Sequence, residues 1–329
     1  MLTGLPRPAF TTLLFLTAIV LGSLVGSLAP AVGSELGSVV DPLILLLVGV
    51  LFFTLRLDGL SALRRSRLVV ALAIGVNFVV IPLIAWPLSA LLPSDALRLG
   101  VLIYFLAPCT DWFLGFTRMA GGDTTTGAAL IPVQMTLQLL LYPVWLFLFA
   151  GQSAASSFGS AGPTLLTWFV APAAIALTLR LVMRLTLSAR VRAAVVSGVD
   201  RAVPFVIAAV IVGIFAGNIE TILSDVGSFA WVLLVVFLFF VVTFFVGEAI
   251  SKVARLRYRE HALLTMTTSA RNAPLMLAVT TVALPDQPIV AAAIVLGMLI
   301  EFPHLTVITH LLRGRAARVD QPPRPLETV

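Results

Sequence analysis

The sequence predicts an all-α membrane protein with ten transmembrane helices. Three observations carry that reading. The first is composition: 60% of the 329 residues are apolar and only 11% are charged, and the mean hydropathy is +1.09. A soluble domain carries about 25% charged residues. The second is the form of the apolar residues, which come in long continuous runs. Alternation at a period of two, as in a β-barrel wall, is missing from them. The third is the placement of basic residues in short loops between those runs, the pattern by which membrane orientation is set.

The spans fall at roughly 10–29, 39–57, 68–93, 97–119, 126–149, 163–184, 202–217, 230–250, 260–284 and 288–312. Each is long enough to cross about 30 Å of hydrocarbon as a helix. The first run is too long for the apolar core of a leader peptide and no cleavage pattern follows it, so it reads as a span. With spans so placed, 19 of the 21 lysines and arginines lie in even-numbered loops, at the span ends that border them, or at the termini. The exceptions are Arg98, at a span end that borders an odd-numbered loop, and Arg271, deep inside a span. The alternation predicts an inner-membrane protein with both termini cytoplasmic. The net charge of +6 is thereby topological, and no nucleic-acid partner is expected. A single cysteine excludes an intramolecular disulfide.

The most polar linker is AGQSAASSFGSAG at 150–162, which reads as flexible and divides the spans five and five. An odd number per half makes the two halves enter the membrane in opposite senses, the inverted-repeat plan of many transporters. The expected units are 1–155, 156–315 and a cytoplasmic tail at 316–329.

The fourth span of each half is broken. Span 4 reads VLIYFLAPCTDWFLGFT, with Cys109, Thr110 and Asp111 following Pro108. Span 9 reads LLTMTTSARNAPLMLAVTTVAL, where Ser269, Arg271, Asn272 and Pro274 interrupt it near mid-depth. Matched interruptions mark a transporter's binding site, and the freed backbone must be buried in protein or line a wet cavity. A proline kink with no function is the plainer reading of either break alone.

Asp111 and Arg271 place one charge in each broken span. An isolated charge there costs at least about 2.5–3.5 kcal/mol, so the two are expected to face each other or a cavity. They serve either as a structural ion pair or as ligand and proton sites. Arg271 near half-helix N-termini would suit an organic anion. Cys109 is expected at the start of the second half-helix of span 4, where the helix dipole favours a thiolate, a soft ligand for metalloids. The alternative is a small buried apolar residue.

Glu301 and Pro303 are expected to interrupt span 10 in GMLIEFPHL, with Glu301 a candidate for ion or proton coupling. His304, one turn on, could share its proton, although His304 and His310 also read as interfacial packing. Glu248 reads as a snorkelling or loop-paired charge. Gln134 and Gln138 stack at i, i+4 and line either the same cavity or a helix contact. No P-loop, HExxH, nucleophile elbow or dinucleotide fingerprint is present. An enzyme, a cofactor and a metal centre are therefore not expected, and energy must come from an ion gradient, H+ or Na+, or from the solute's own.

These stretches resemble a known family. APCT at 107–110 resembles the motif of arsenite efflux permeases in the bile-acid/arsenite/riboflavin transporter superfamily. RNAPLMLA at 271–278 falls where that family has an Asn-rich broken ninth helix, and IEFP at 300–303 resembles its Glu-Val-Pro segment. The resemblance implies two inverted five-helix repeats. Spans 1, 2, 6 and 7 would form a panel domain, and the rest a core in which broken helices 4 and 9 cross. It also implies a metalloid-contacting thiol at Cys109 and a transport role for Glu301. Substrate contacts are expected at Cys109, Thr110, Asp111, Arg271 and Asn272, and ion coupling at Glu301 and Asp111. The expected function is proton-antiport efflux of arsenite or a related metalloid. The alternative is sodium- or proton-coupled transport of a small organic anion. Pro274 stands where the arsenite permeases usually carry a glutamate, and Asp111 and Arg271 have no clear counterparts there.

Overall fold

The computed structural model describes residues 7–54, 61–110, 112–160, 162–224 and 226–319. Among them the only β-type pairing is one isolated bridge. The elements, in order, are α1 (Arg7–Leu28), α2 (Pro30–Ser38), α3 (Val40–Thr54), α4 (Ser61–Arg65), α5 (Arg67–Gly75), a π-helical turn (Val76–Val80) and α6 (Ile81–Ser89). They continue with α7 (Asp95–Phe105), α8 (Phe113–Met119), α9 (Thr124–Ser160), α10 (Gly162–Thr186), α11 (Ala189–Gly217) and α12 (Ile219–Leu223). The last four are α13 (Val226–Val253), α14 (Tyr258–Ser269), α15 (Ala273–Ala283) and α16 (Pro288–Val319).

Five segments among the described residues are both long and apolar enough to cross a membrane: Pro30–Thr54, Arg67–Ser89, Ala189–Gly217, Gly227–Val253 and Pro288–Gly314. The outer faces are apolar too, with Leu24, Leu140, Phe147, Leu181, Phe237 and Phe245 all exposed. Such a surface requires hydrocarbon as its solvent. The protein is a multi-pass, all-α membrane protein.

Packing groups the helices into two neighbourhoods, which meet where α1 lies on α16 and where α3 and α10 lie on α15. In one, α11 packs on α1, α2 and α3, and α10 packs on α3. Small residues let these backbones approach. A Cβ on Gly22 would stand 2.7 Å from Val212 O, and one on Gly33 would stand 2.6 Å from Ala216 O. Close backbone approach through small residues is how helices associate where lipid removes the hydrophobic drive. In the other neighbourhood, α16 lies against α7, α13 and α15, and α13 lies against α14.

Three local expectations change. The Ala/Ser-rich stretch after position 150 is helical through Ser160, because it holds no proline and its residues tolerate a helix. Position 155 is therefore inside α9. Pro303 does not interrupt span 10, since α16 continues past it. One proline removes one backbone bond, which a packed membrane helix can absorb. The helix of span 4 is broken over a longer stretch than a kink: α7 ends at Phe105, Leu106 to Thr110 are not helical, and α8 begins at Phe113.

Candidate functional site: two broken helices that complete each other

Pro108 has no N–H, so the α7 ladder cannot continue through it. The backbone groups released there are taken up by the other break. Cys109 N–H, which would have donated to Phe105 O in a continuing helix, donates to Ala270 O at 3.1 Å. Asn272 N–H, which would have donated to Thr268 O, donates to Ala107 O at 2.9 Å. These two bonds form an antiparallel bridge between Pro108 and Arg271. Buried peptide groups must be paired, and here each break pairs the other. Asn272 then restarts the chain as the N-cap of α15, its side chain accepting from Leu275 N–H, with Pro274 in the first turn, where no N–H is needed.

The third amide of the break, Arg271 N–H, donates to Glu301 Oε1 at 2.9 Å. Trp112 Nε1 donates to the same oxygen at 2.7 Å. Tyr104 Oη donates to Glu301 Oε2 at 2.7 Å. The α16 carboxylate thus binds the end of α7, the N-cap of α8 and the break before α15. Gly297 makes this possible, because a Cβ there would lie 2.5 Å from the Tyr104 ring.

The Arg271 side chain is fully buried and runs away from that carboxylate. Its Nη1 donates to Phe105 O at 3.0 Å. Its Nη2 donates to Asn77 Oδ1 at 3.0 Å, Thr268 O at 2.6 Å and Thr267 O at 3.3 Å. The guanidinium therefore sits at the C-terminal ends of α7 and α14, not at half-helix N-termini. The Phe239 ring, stacked on Phe105 at 3.7 Å, lies 5.7 Å from its Cζ. Among the described residues no carboxylate reaches ion-pair distance of this guanidinium. Asp111, the expected partner, lies outside the described residues.

The other expected site residues are placed as follows. Cys109 is fully buried, in the bridge segment. It stands before the N-cap of α8, so the half-helix dipole, which fades within one turn, does not act on it as expected. Thr110 Oγ1 accepts from Asn272 Nδ2 at 2.9 Å, joining the breaks a third time. Gln134 exchanges hydrogen bonds with Thr267 at 2.9 and 3.3 Å. Gln138 is buried with no hydrogen-bond partner for either amide atom. His304 stacks on Phe240 at 4.8 Å, and His310 is exposed. Glu248 lies 2.7 Å from His261 Nε2, where a cavity of about 460 Å³ is lined by both, with Phe245, Lys252 and Leu256.

Asn77, Tyr104 and Trp112 were missed in the sequence. Asn77 is a lone amide in an apolar span, and the two aromatics flank the APCT break with polar tips, a placement that calls for a partner when buried.

The chain matches the Sodium Bile acid symporter family over residues 42–225, more than half of its length. It belongs to that family. The match includes the first break and ends before the second. Members of the sodium bile acid symporter family are transporters, so this chain is a membrane transporter and not an enzyme. No curated protein matches it.

Proposed function

We propose that this family member is a proton-coupled secondary transporter that exports arsenite or a related trivalent metalloid. The observation that carries the reading is the backbone exchange between the two breaks, with Cys109 as one of the exchanging residues. A trivalent metalloid has displaceable hydroxides, and one thiolate gives it a reversible soft ligand. Thr110 and Asn272 supply polar contacts beside it. Glu301 is the coupling carboxylate, since it is buried and bound to all three elements around the crossing.

The architecture we assign is ten spans in two inverted five-helix repeats. Here α1–α3 with α10 and α11 form a panel, and the remaining elements a core. The support is the two packing neighbourhoods and the position of each break in the fourth span of its half. We place the protein in the inner membrane with both termini cytoplasmic, on the distribution of arginines.

The test is protection of a pump-deficient bacterial strain against arsenite. Wild type should protect, while Cys109→Ser and Cys109→Ala should not, with expression and thermal stability retained. Full protection by both variants would remove the thiol mechanism. A second reading, ion-coupled transport of a small organic anion, is favoured by the family's name. It becomes the better one if wild type gives no protection and gradient-driven anion uptake is measured instead.

A further inference from the structure

We propose that Arg271 is a resident cation: its guanidinium fills an oxygen cage suited to a hard monovalent cation, so this transporter works without sodium. The inference rests on the transporter reading and concerns its coupling ion.

The cage has four oxygens, none of them charged. Phe105 O comes from the end of α7, Thr267 O and Thr268 O from the end of α14, and Oδ1 from Asn77. The three carbonyls are available because the helices stop. The amides that would have claimed Phe105 O and Thr268 O donate across the crossing, and Arg271 N–H, due at Thr267 O, goes to Glu301. Two half-helix C-termini, each carrying partial negative charge, therefore face one guanidinium, α7 at Nη1 and α14 at Nη2. Unwound carbonyls and half-helix C-termini are the groups that hold coupling cations in secondary transporters, and hard oxygens suit hard ions.

The fourth ligand is a separate observation. Asn77 lies in the π-helical turn Val76–Val80, where Ile81 N–H reaches back five residues to Val76 O. Pro82, with no N–H, follows directly. Single π turns collect at functional sites because they re-aim one side chain. Here the turn presents Asn77 Oδ1 to the cation and leaves Nδ2 without a partner. The Phe239 ring adds its negative face.

An ion in such a cage must leave in each cycle, whereas a tethered guanidinium cannot. The cage then keeps one charge throughout transport, and a sodium gradient cannot act through it.

The test is thermal unfolding of the purified protein, which needs no cargo. Sodium chloride replaces choline chloride at fixed ionic strength for wild type, Arg271→Lys and Arg271→Ala. Wild type and Arg271→Lys, which keep a resident cation, should not shift. Arg271→Ala should unfold earlier in choline and recover by about 3 °C at sodium ten times its Kd. Millimolar methylguanidinium should stabilise it as well. Sodium-dependent stabilisation of wild type would overturn the proposal. So would an Arg271→Ala protein that responds to neither cation, or that cannot be obtained folded in either salt. None of these outcomes bears on whether a solute is carried, which the resistance and uptake assays decide.

Discussion

Glu301 accepts the backbone N–H of Arg271 at 2.9 Å, while the guanidinium of the same residue turns away to four other oxygens. Two charges 30 positions apart thus meet through a peptide group, and each can be altered with separate consequences.

Glu301→Gln should keep the fold and lose coupling. The amide oxygen can accept from Arg271 N–H and Trp112 Nε1–H, and the NH2 can donate to the Tyr104 hydroxyl. Stability should stay within about 1 kcal/mol of wild type, with gradient-driven transport abolished. Glu301→Ala strands those donors and should cost about 1–3 kcal/mol for each one left unpaired. Thermal unfolding and proteoliposome flux separate the two variants. Equal destabilisation by both would show that the carboxylate's hydrogen bonds are not what holds the crossing.

Gly297→Ala should push the Tyr104 ring off Glu301, because the added methyl would lie within 3 Å of three ring carbons. Overpacking of this kind costs about 1–3 kcal/mol. Combining it with Tyr104→Leu, which removes the ring, should recover part of that loss. Additive losses in the double variant would argue against the contact.

Gln134 and Gln138 should respond oppositely to leucine. Gln134→Leu breaks the exchange with Thr267, and interhelical bonds of this kind average about 0.6 kcal/mol. Gln138→Leu removes a buried amide that has no partner and should be neutral or stabilising by about 1 kcal/mol. A loss of stability at Gln138 would mean that it is bonded in the membrane-embedded protein.

Orientation is checked with cysteines placed in a Cys109→Ser background. Arg64→Cys and Arg190→Cys should resist impermeant thiol reagents in intact cells and react after lysis. The hydroxyls of Ser66 and Thr126 meet at 3.1 Å, so Ser66→Cys and Thr126→Cys together should crosslink on oxidation. Labelling of Arg64→Cys from outside would reverse the topology.

Helix type, the two breaks and the residues at them were legible because each has a local cause. Apolar runs as long as a bilayer is thick favour helices, and Pro108 and Pro274 with their polar neighbours marked the breaks, although the same kind of signal at Pro303 marked none, because α16 runs through it. Partners were not legible, because they depend on which helices meet. Arg271 shows the difference. Its burial could be anticipated from its depth in span 9, but its ligands are carbonyls, and a carbonyl has no signature in the sequence. Cys109 shows it too, since how far the backbone unwinds past Pro108 depends on amides supplied by the second break. Readable signals were also passed over: Asn77, an amide in an otherwise apolar span, and the polar tips of Tyr104 and Trp112 beside the first break.

The exchange of peptide hydrogen bonds also dictates an order of assembly. Thr110 enters the membrane 162 residues before Asn272 exists, which at 5–20 residues per second is on the order of ten to thirty seconds of synthesis. Throughout that interval Ala107 O and Cys109 N–H lack the partners, Asn272 N–H and Ala270 O, that they have in the folded protein. The nascent first half must shelter them in the translocation machinery or among hydrated headgroups, and a chain truncated before α14 would be a substrate for quality-control proteolysis.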